Sequence, residues 1–111
     1  MSSRVRKFLP VLKRIQKLGD AARRSYVKKA NKEFVECICE CAKNVIKGNV
    51  PLKDCHLKRL RKEKKNLRAL SLKKTPLRKK RRILQKGGFL GALLTPVLSL
   101  LGGLLTGNAN G

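Results

Sequence analysis

Apolar residues recur at helical spacing from the start of the chain. Val5, Phe8, Leu12 and Ile15 stand three or four apart, Leu9, Val11 and Leu18 widen the stripe, and Arg6, Lys7, Lys13, Arg14 and Lys17 fill much of the rest. The pattern predicts a helix over residues 4–18. Pro10 puts the start of its regular part near residue 10, because proline fits a first turn and not an interior. Gly19 is the expected C-terminal stop. A second stripe, Val27, Ala30, Phe34, Ile38, Cys41 and Val45, is flanked by Val35, Cys37, Ala42 and Ile46. It predicts one helix over residues 20–47, capped by Asp20 and ended by Gly48-Asn49 and Pro51. That helix carries Glu33, Glu36 and Glu40, half of the acidic residues, and looks like the element that packs against the first helix or a second copy of the chain.

Residues 54–86 show only thin stripes: Leu57, Leu60, Leu67 and Leu70, interrupted by Lys64, then Leu77, Ile83 and Leu84. Ser71 or Thr75 restarts the chain, and Thr75-Pro76 has the form of an N-cap followed by a first-turn proline. Gly87-Gly88 closes the stretch. Stripes this thin bury little surface, so the expectation is an arm that is weakly folded by itself and is ordered by phosphate. The run from Gly87 to Leu105 then contains no charge over 19 residues, the minimum for a bilayer-crossing helix. Its five glycines and Pro96 weaken a simple span without excluding one. Three fates suit it: a membrane-inserting segment, a core helix, or a plug into a protein partner. The end, TGNANG, reads as flexible.

Charge changes the picture most. The chain of 111 residues has 29 Lys and Arg against six Asp and Glu, a net +23. Such density opposes compaction unless a polyanion neutralises it. Duplex DNA carries about one charge per ~1.7 Å of axis, so this excess matches roughly 40 Å of duplex. Fifteen of the basic residues fall between Lys58 and Lys86, against Glu63 alone. The predicted phosphate-binding set is Lys58, Arg59, Arg61, Lys62, Lys64, Lys65, Arg68, Lys73, Lys74, Arg78, Lys79, Lys80, Arg81 and Arg82, with lysine as a mobile point charge and arginine as a bidentate clamp. A basic run carries no base code, so binding is expected to be independent of sequence and steeply dependent on salt. Runs such as Arg78 to Arg82 also suit nuclear import. With no tryptophan, one tyrosine and three phenylalanines, base stacking of the single-strand kind is poorly supported. Double-stranded DNA is the leading partner, with RNA behind it. An anionic membrane is the rival, because the basic block immediately precedes the apolar run.

Chemistry is sparse. His56 is the only histidine, no nucleophilic triad can be assembled, and Glu36 and Glu40, one turn apart, read as a solvated helix face, so no enzymatic activity and no cofactor are expected. No stretch forms a signal-peptide core, because a charge interrupts every apolar run near the N-terminus; reduced thiols are expected. Cys37, Cys39, Cys41 and Cys55 then read as small buried hydrophobes along a helix interface. The alternatives are zinc held by Cys37, Cys41, Cys55 and His56, whose spacing matches no familiar finger, and, behind it, disulfide or redox use.

The junction Arg78-Lys79-Lys80-Arg81-Arg82 with Gly87-Gly88-Phe89-Leu90, within NVIKGNVPL…LRAL…KKRRILQKGGFLGALLTPVLSLLGGLL, resembles the adenovirus core protein X family (the mu precursors) and similar small proteins of adintoviruses and Polinton (Maverick) elements. The resemblance covers mainly residues 44–105. It implies a minor virion core protein that condenses double-stranded DNA in the virion core and host nucleus, with a membrane-active tail and a capsid or core protein as neighbour. It also implies trimming by a viral cysteine protease. Leu100-Leu101-Gly102-Gly103 has the required form, with cleavage after Gly103, whereas Gln85-Lys86-Gly87-Gly88 fits less well. The chain departs from the adenoviral type in favouring lysine over arginine and in its long N-terminal helical region.

The resulting expectation is an all-α protein: a helical hairpin and interaction module in residues 1–50, a basic nucleic-acid-binding arm in 51–86 and an apolar C-terminal segment in 87–111. Two rival readings remain at this level. One is a basic protein that anchors to or permeabilises membranes. The other is a histone-like homodimer built on a long central helix.

Overall fold

Eight helices and no strand occur among residues 3–86 and 88–106, which the computed structural model describes. They are α1 (Ser3–Lys7), α2 (Leu9–Lys17), α3 (Asp20–Lys29), α4 (Lys32–Ile46), α5 (Asp54–Arg61), α6 (Lys64–Ser71), α7 (Leu77–Leu84) and α8 (Phe89–Thr106). The all-α class follows from the sequence as expected, but several boundaries do not.

The first helix is two, with Pro10 in the first turn of α2. Gly19 does not stop it in a left-handed turn. It is extended and serves as the N-cap of α3, which makes Asp20 the first helical residue, paired with Arg23 at 2.9 Å, and not the cap. The long second helix does not form either. Asn31 is extended, and its side-chain oxygen accepts a 2.8 Å bond from the Phe34 N–H, so it starts α4 and separates α3. Asparagine competes with the helix for backbone donors, and here the cap wins. The central helix that a histone-like fold needs is therefore absent. At the far end Gly48, with φ +80°, terminates α4 as predicted. Its N–H bonds Val45 O at 3.1 Å and the Asn49 N–H bonds Asn44 O at 2.9 Å, the paired contacts of a Schellman turn.

The basic arm is helical and shares the buried core. Leu60, Leu67, Leu70, Ile83 and Leu84 are all buried. Pro76, one residue later than expected, is the N-cap of α7, and Gly88 follows that helix with φ +77°. The thin stripes suffice because other segments supply what they lack. α4 is packed on by α1, α6, α7 and α8, and α8 by α2, α4, α5 and α7. One buried cluster runs from Val5 to Leu101 through all three parts of the sequence. The radius of gyration, 13.2 Å, is that of a well-packed chain of this length, about 13 Å.

The uncharged run forms a core helix. Leu93, Leu94 and Val97 of α8 have no solvent exposure, and Phe89, Leu90, Leu98 and Leu101 have almost none. No single helix among the described residues is long and apolar enough to cross a membrane. Pro96 deprives α8 of one interior bond; nearby, Thr95 Oγ1 donates to Gly91 O at 2.8 Å and accepts from Gln16 of α2 at 3.2 Å. Gly103 lies inside α8, so a protease that reads an extended peptide would first have to unwind that turn. The end of the chain beyond Thr106 lies outside the described residues.

Gly91 of α8 lies against the Arg23 side chain at the α2–α3 corner. Arg23 reaches back from α3 to bond Ile15 O at 3.1 Å and Gln16 O at 3.0 Å, covering carbonyls that the end of α2 leaves open. A Cβ at Gly91 would stand 2.6 Å from Arg23 Nη1. The atom met is the end of a flexible side chain, so Gly91→Ala is expected to change stability by no more than about 1 kcal/mol, the disturbed Arg23 bonds offsetting a helix-propensity gain of about 1 kcal/mol. In an Arg23→Ala background the propensity gain should appear in full. Denaturant melts of the two single variants and the double variant check this.

Candidate nucleic-acid interface

Acidic residues are few, and the fold spends most of them on one side. Arg4 of α1 reaches Glu40 at 3.0 Å and Glu36 at 3.7 Å on α4, and Lys7 reaches Glu33 at 3.1 Å. Lys32 stands 3.9 Å from Glu36. The Arg4 and Lys7 pairs join α1 to α4, whereas Lys32 and Glu36 pair within α4. In consequence, none of the fifteen cations between Lys58 and Lys86 is in an ion pair among the described residues.

Tertiary packing sorts those cations into separate places. Lys65 of α6 and Arg78, Lys79, Arg82 and Lys86 of α7 and its C-terminal end converge on a cleft of about 500 Å³ between the two helices. Asn66, Ala69, Pro76 and Ile83 complete its lining, and no carboxylate enters it. All five cations are exposed. Arg78 and Arg82 are one turn apart, about 6 Å along the axis. In water two unit charges about 8 Å apart repel by about 0.5 kcal/mol, and five together add several such terms. An anion in the cleft reverses the sign of each.

The remaining predicted residues lie elsewhere. Arg61, Lys64 and Arg68 border an apolar groove formed with α4. Arg59 and Lys62 lie with Glu63 near the start of α8. Lys73 and Lys80 face Arg4, Glu36 and Glu40 across a pocket of about 380 Å³. Lys58 and Lys74 are exposed and line none of these cavities. Arg81 is turned inward: its Nη1 donates to Val27 O at 3.0 Å, closing the C-terminal end of α3, so it is a structural cap as placed. Lys86 is the cleft residue that the sequence reading left out. It lies past the last turn of α7 and lines the cleft with residues of α6 and α7.

The cysteine–histidine quartet does not assemble. Cys37, Cys39 and Cys41 are buried in α4, whereas Cys55 is exposed at the start of α5. His56 instead accepts a 3.3 Å bond from the Lys53 N–H through Nδ1, a helix-capping contact. No group of three or more His, Cys, Asp or Glu among the described residues could hold a metal ion. Burial pushes the Cys39 thiol up to about 11, against the opposing pull of Lys80. Its hydrogen bond to Cys37, reinforced by burial, raises Cys41 well above the usual thiol range. Thiolate is the reactive form. At about pH 8, an alkylating reagent should therefore modify only Cys55 in the native protein and all four cysteines in denaturant, by mass spectrometry. Rapid native labelling of Cys39 would contradict this packing.

Fold and site together define a small all-helical basic protein with an unpaired cationic cleft. Compared with protein families, curated proteins and solved structures, the chain matches none.

Proposed function

We propose that this protein binds double-stranded DNA through its phosphates, without reading sequence, and that the α6–α7 cleft is the centre of the contact. The observation that carries the reading is the cleft itself, where five cations converge with no carboxylate among them. The local helix geometry supports it. The first turn of α7 contains no acidic residue, and Arg78 and Lys79 stand there against the helix dipole. A phosphate is favoured at that end both by the dipole and by those side chains. Exposed cations outside the cleft support condensation in addition to binding. Arg6, Arg14, Lys17, Arg24, Lys28 and Lys29, on α1 to α3, are exposed and outside every ion pair among the described residues. Cations beyond those of the cleft allow a second duplex segment to be engaged by the same protein. Packing of double-stranded DNA in a virion core, the role suggested by the resemblance over residues 44–105, fits this arrangement. Burial of α8 gives the apolar run a structural use and weighs against membrane permeabilisation as its main task.

The test is a salt titration of the full chain against duplex DNA, duplex RNA and anionic vesicles. Log affinity for DNA should fall linearly with log salt at about −0.9 per phosphate engaged, alike for unrelated sequences. A slope near zero would refute the phosphate reading. Tighter binding of RNA at every salt concentration would reassign the polyanion, and tighter binding of vesicles would transfer the site to lipid.

A further inference from the structure

An apolar groove lies apart from the cleft, between the end of α4, the loop after it, and α5 and α6. It has a volume of about 300 Å³ and is lined by Ile46, Leu52, Leu57, Leu60 and Leu67 among others. Four large hydrophobic side chains are substantially exposed among the described residues, and two of them, Ile46 at 49% and Leu57 at 38%, stand in this groove. Leaving such surface in water costs about 25 cal/mol per Å², so a covering partner gains from it. Arg61, Lys64 and Arg68 border the same groove, and no carboxylate does. Lys64 and Arg68 are one helical turn apart on α6, and Arg61 ends α5, so the charges form a row beside the apolar floor.

We infer that this groove docks an acidic amphipathic helix of another protein, whose apolar stripe covers Ile46 and Leu57 while its carboxylates meet Arg61, Lys64 and Arg68. The chemistry of the surface selects that occupant. Nucleic acid satisfies the cations but presents phosphate to the leucines. A second copy of this chain has few carboxylates to offer: Asp20, Glu33, Glu36 and Glu40 are already paired with Arg23, Lys7, Arg4 and Lys32 in the same molecule. A helix with apolar residues three and four apart, flanked by glutamates at the same period, matches both halves of the groove. The inference is independent of DNA binding.

The probe is a synthetic 20-residue peptide with leucines on one helical face and glutamates flanking them, compared with a scrambled peptide of identical composition. Binding to the full chain is followed by calorimetry at physiological salt, with duplex DNA and anionic vesicles as parallel ligands. The patterned peptide should bind about tenfold or more tighter than the scrambled one. Ile46→Ser with Leu57→Ser, two exposed sites whose change should leave the melting temperature close to that of wild type, should lower its affinity about tenfold and leave duplex DNA affinity unaltered. Equal binding of both peptides would overturn the proposal, since generic charge attraction would then suffice. So would unchanged peptide affinity in the double variant, and a loss confined to vesicles would assign the groove to lipid instead.

Discussion

Changing Lys65, Arg78, Lys79, Arg82 and Lys86 together to glutamine is expected to weaken duplex DNA binding by on the order of a thousandfold at physiological salt, and to flatten the salt dependence by about 4 to 5 in slope. The magnitude follows from counterion release. Each cation that meets a phosphate contributes about 0.9 to the slope, and contributions to log affinity add. A matched control removes five exposed cations of the N-terminal helices: Arg6, Arg14, Lys17, Lys28 and Lys29. If the cleft is the centre, the control loses far less affinity. Equal loss in both variants would mean that only total charge matters. Folding offers an independent reading, because removing like charges from one cleft relieves repulsion, so the melting temperature of the cleft variant should hold or rise. Substitution is the right tool here. Deleting residues 58–86 would remove Leu60, Leu67, Leu70, Ile83 and Leu84 from the core, and loss of DNA binding would then report unfolding.

Leu93→Ala in α8 is expected to destabilise the protein by about 2–5 kcal/mol, through lost transfer energy and the cavity left behind. Total stabilities of natural domains are about 5–15 kcal/mol, and this chain also carries its own charge repulsion, so that loss is a large share. At about 4–8 °C per kcal/mol, the melting temperature should fall by at least 10 °C or so. Leu93 is fully buried, whereas Ser99 on the same helix is exposed, so Ser99→Ala should change little. The comparison separates the core-helix fate of the uncharged run from the membrane-inserting one. A helix held in reserve for a membrane would tolerate Leu93→Ala in solution and show the defect only with vesicles. Added salt should raise the melting temperature of wild type and variant alike, by screening the excess of cations.

Local signals carried part of the fold. The three-and-four spacing of Val5 to Ile15 and of Phe34 to Val45 marks helices because side chains at that period share a face. Gly48 and Gly88 are readable as stops, because their left-handed backbones suit a residue without Cβ. The caps were only partly readable. Asn31 has the right residue type to begin a helix, but it sits between apolar positions whose period continues across it, and the period dominated. Glu63, at the break between α5 and α6, gave still less warning. The candidate site was legible as a set of residues and illegible as an arrangement. Lys65 and Arg82 are equally cationic with Lys58 or Lys74, and nothing local places the first two in one cleft and the others outside it.

The shortage of acid, the crowding of cations between positions 58 and 86 and the helical character of the chain are properties of residue order and composition, and could be read without coordinates. Whether α8 is covered, whether thin leucine stripes are enough, which cations share a cleft and where Arg81 is directed depend on surfaces contributed by segments far away in the chain. Burial belongs to pairs of elements, and a single stretch of sequence contains only half of each pair.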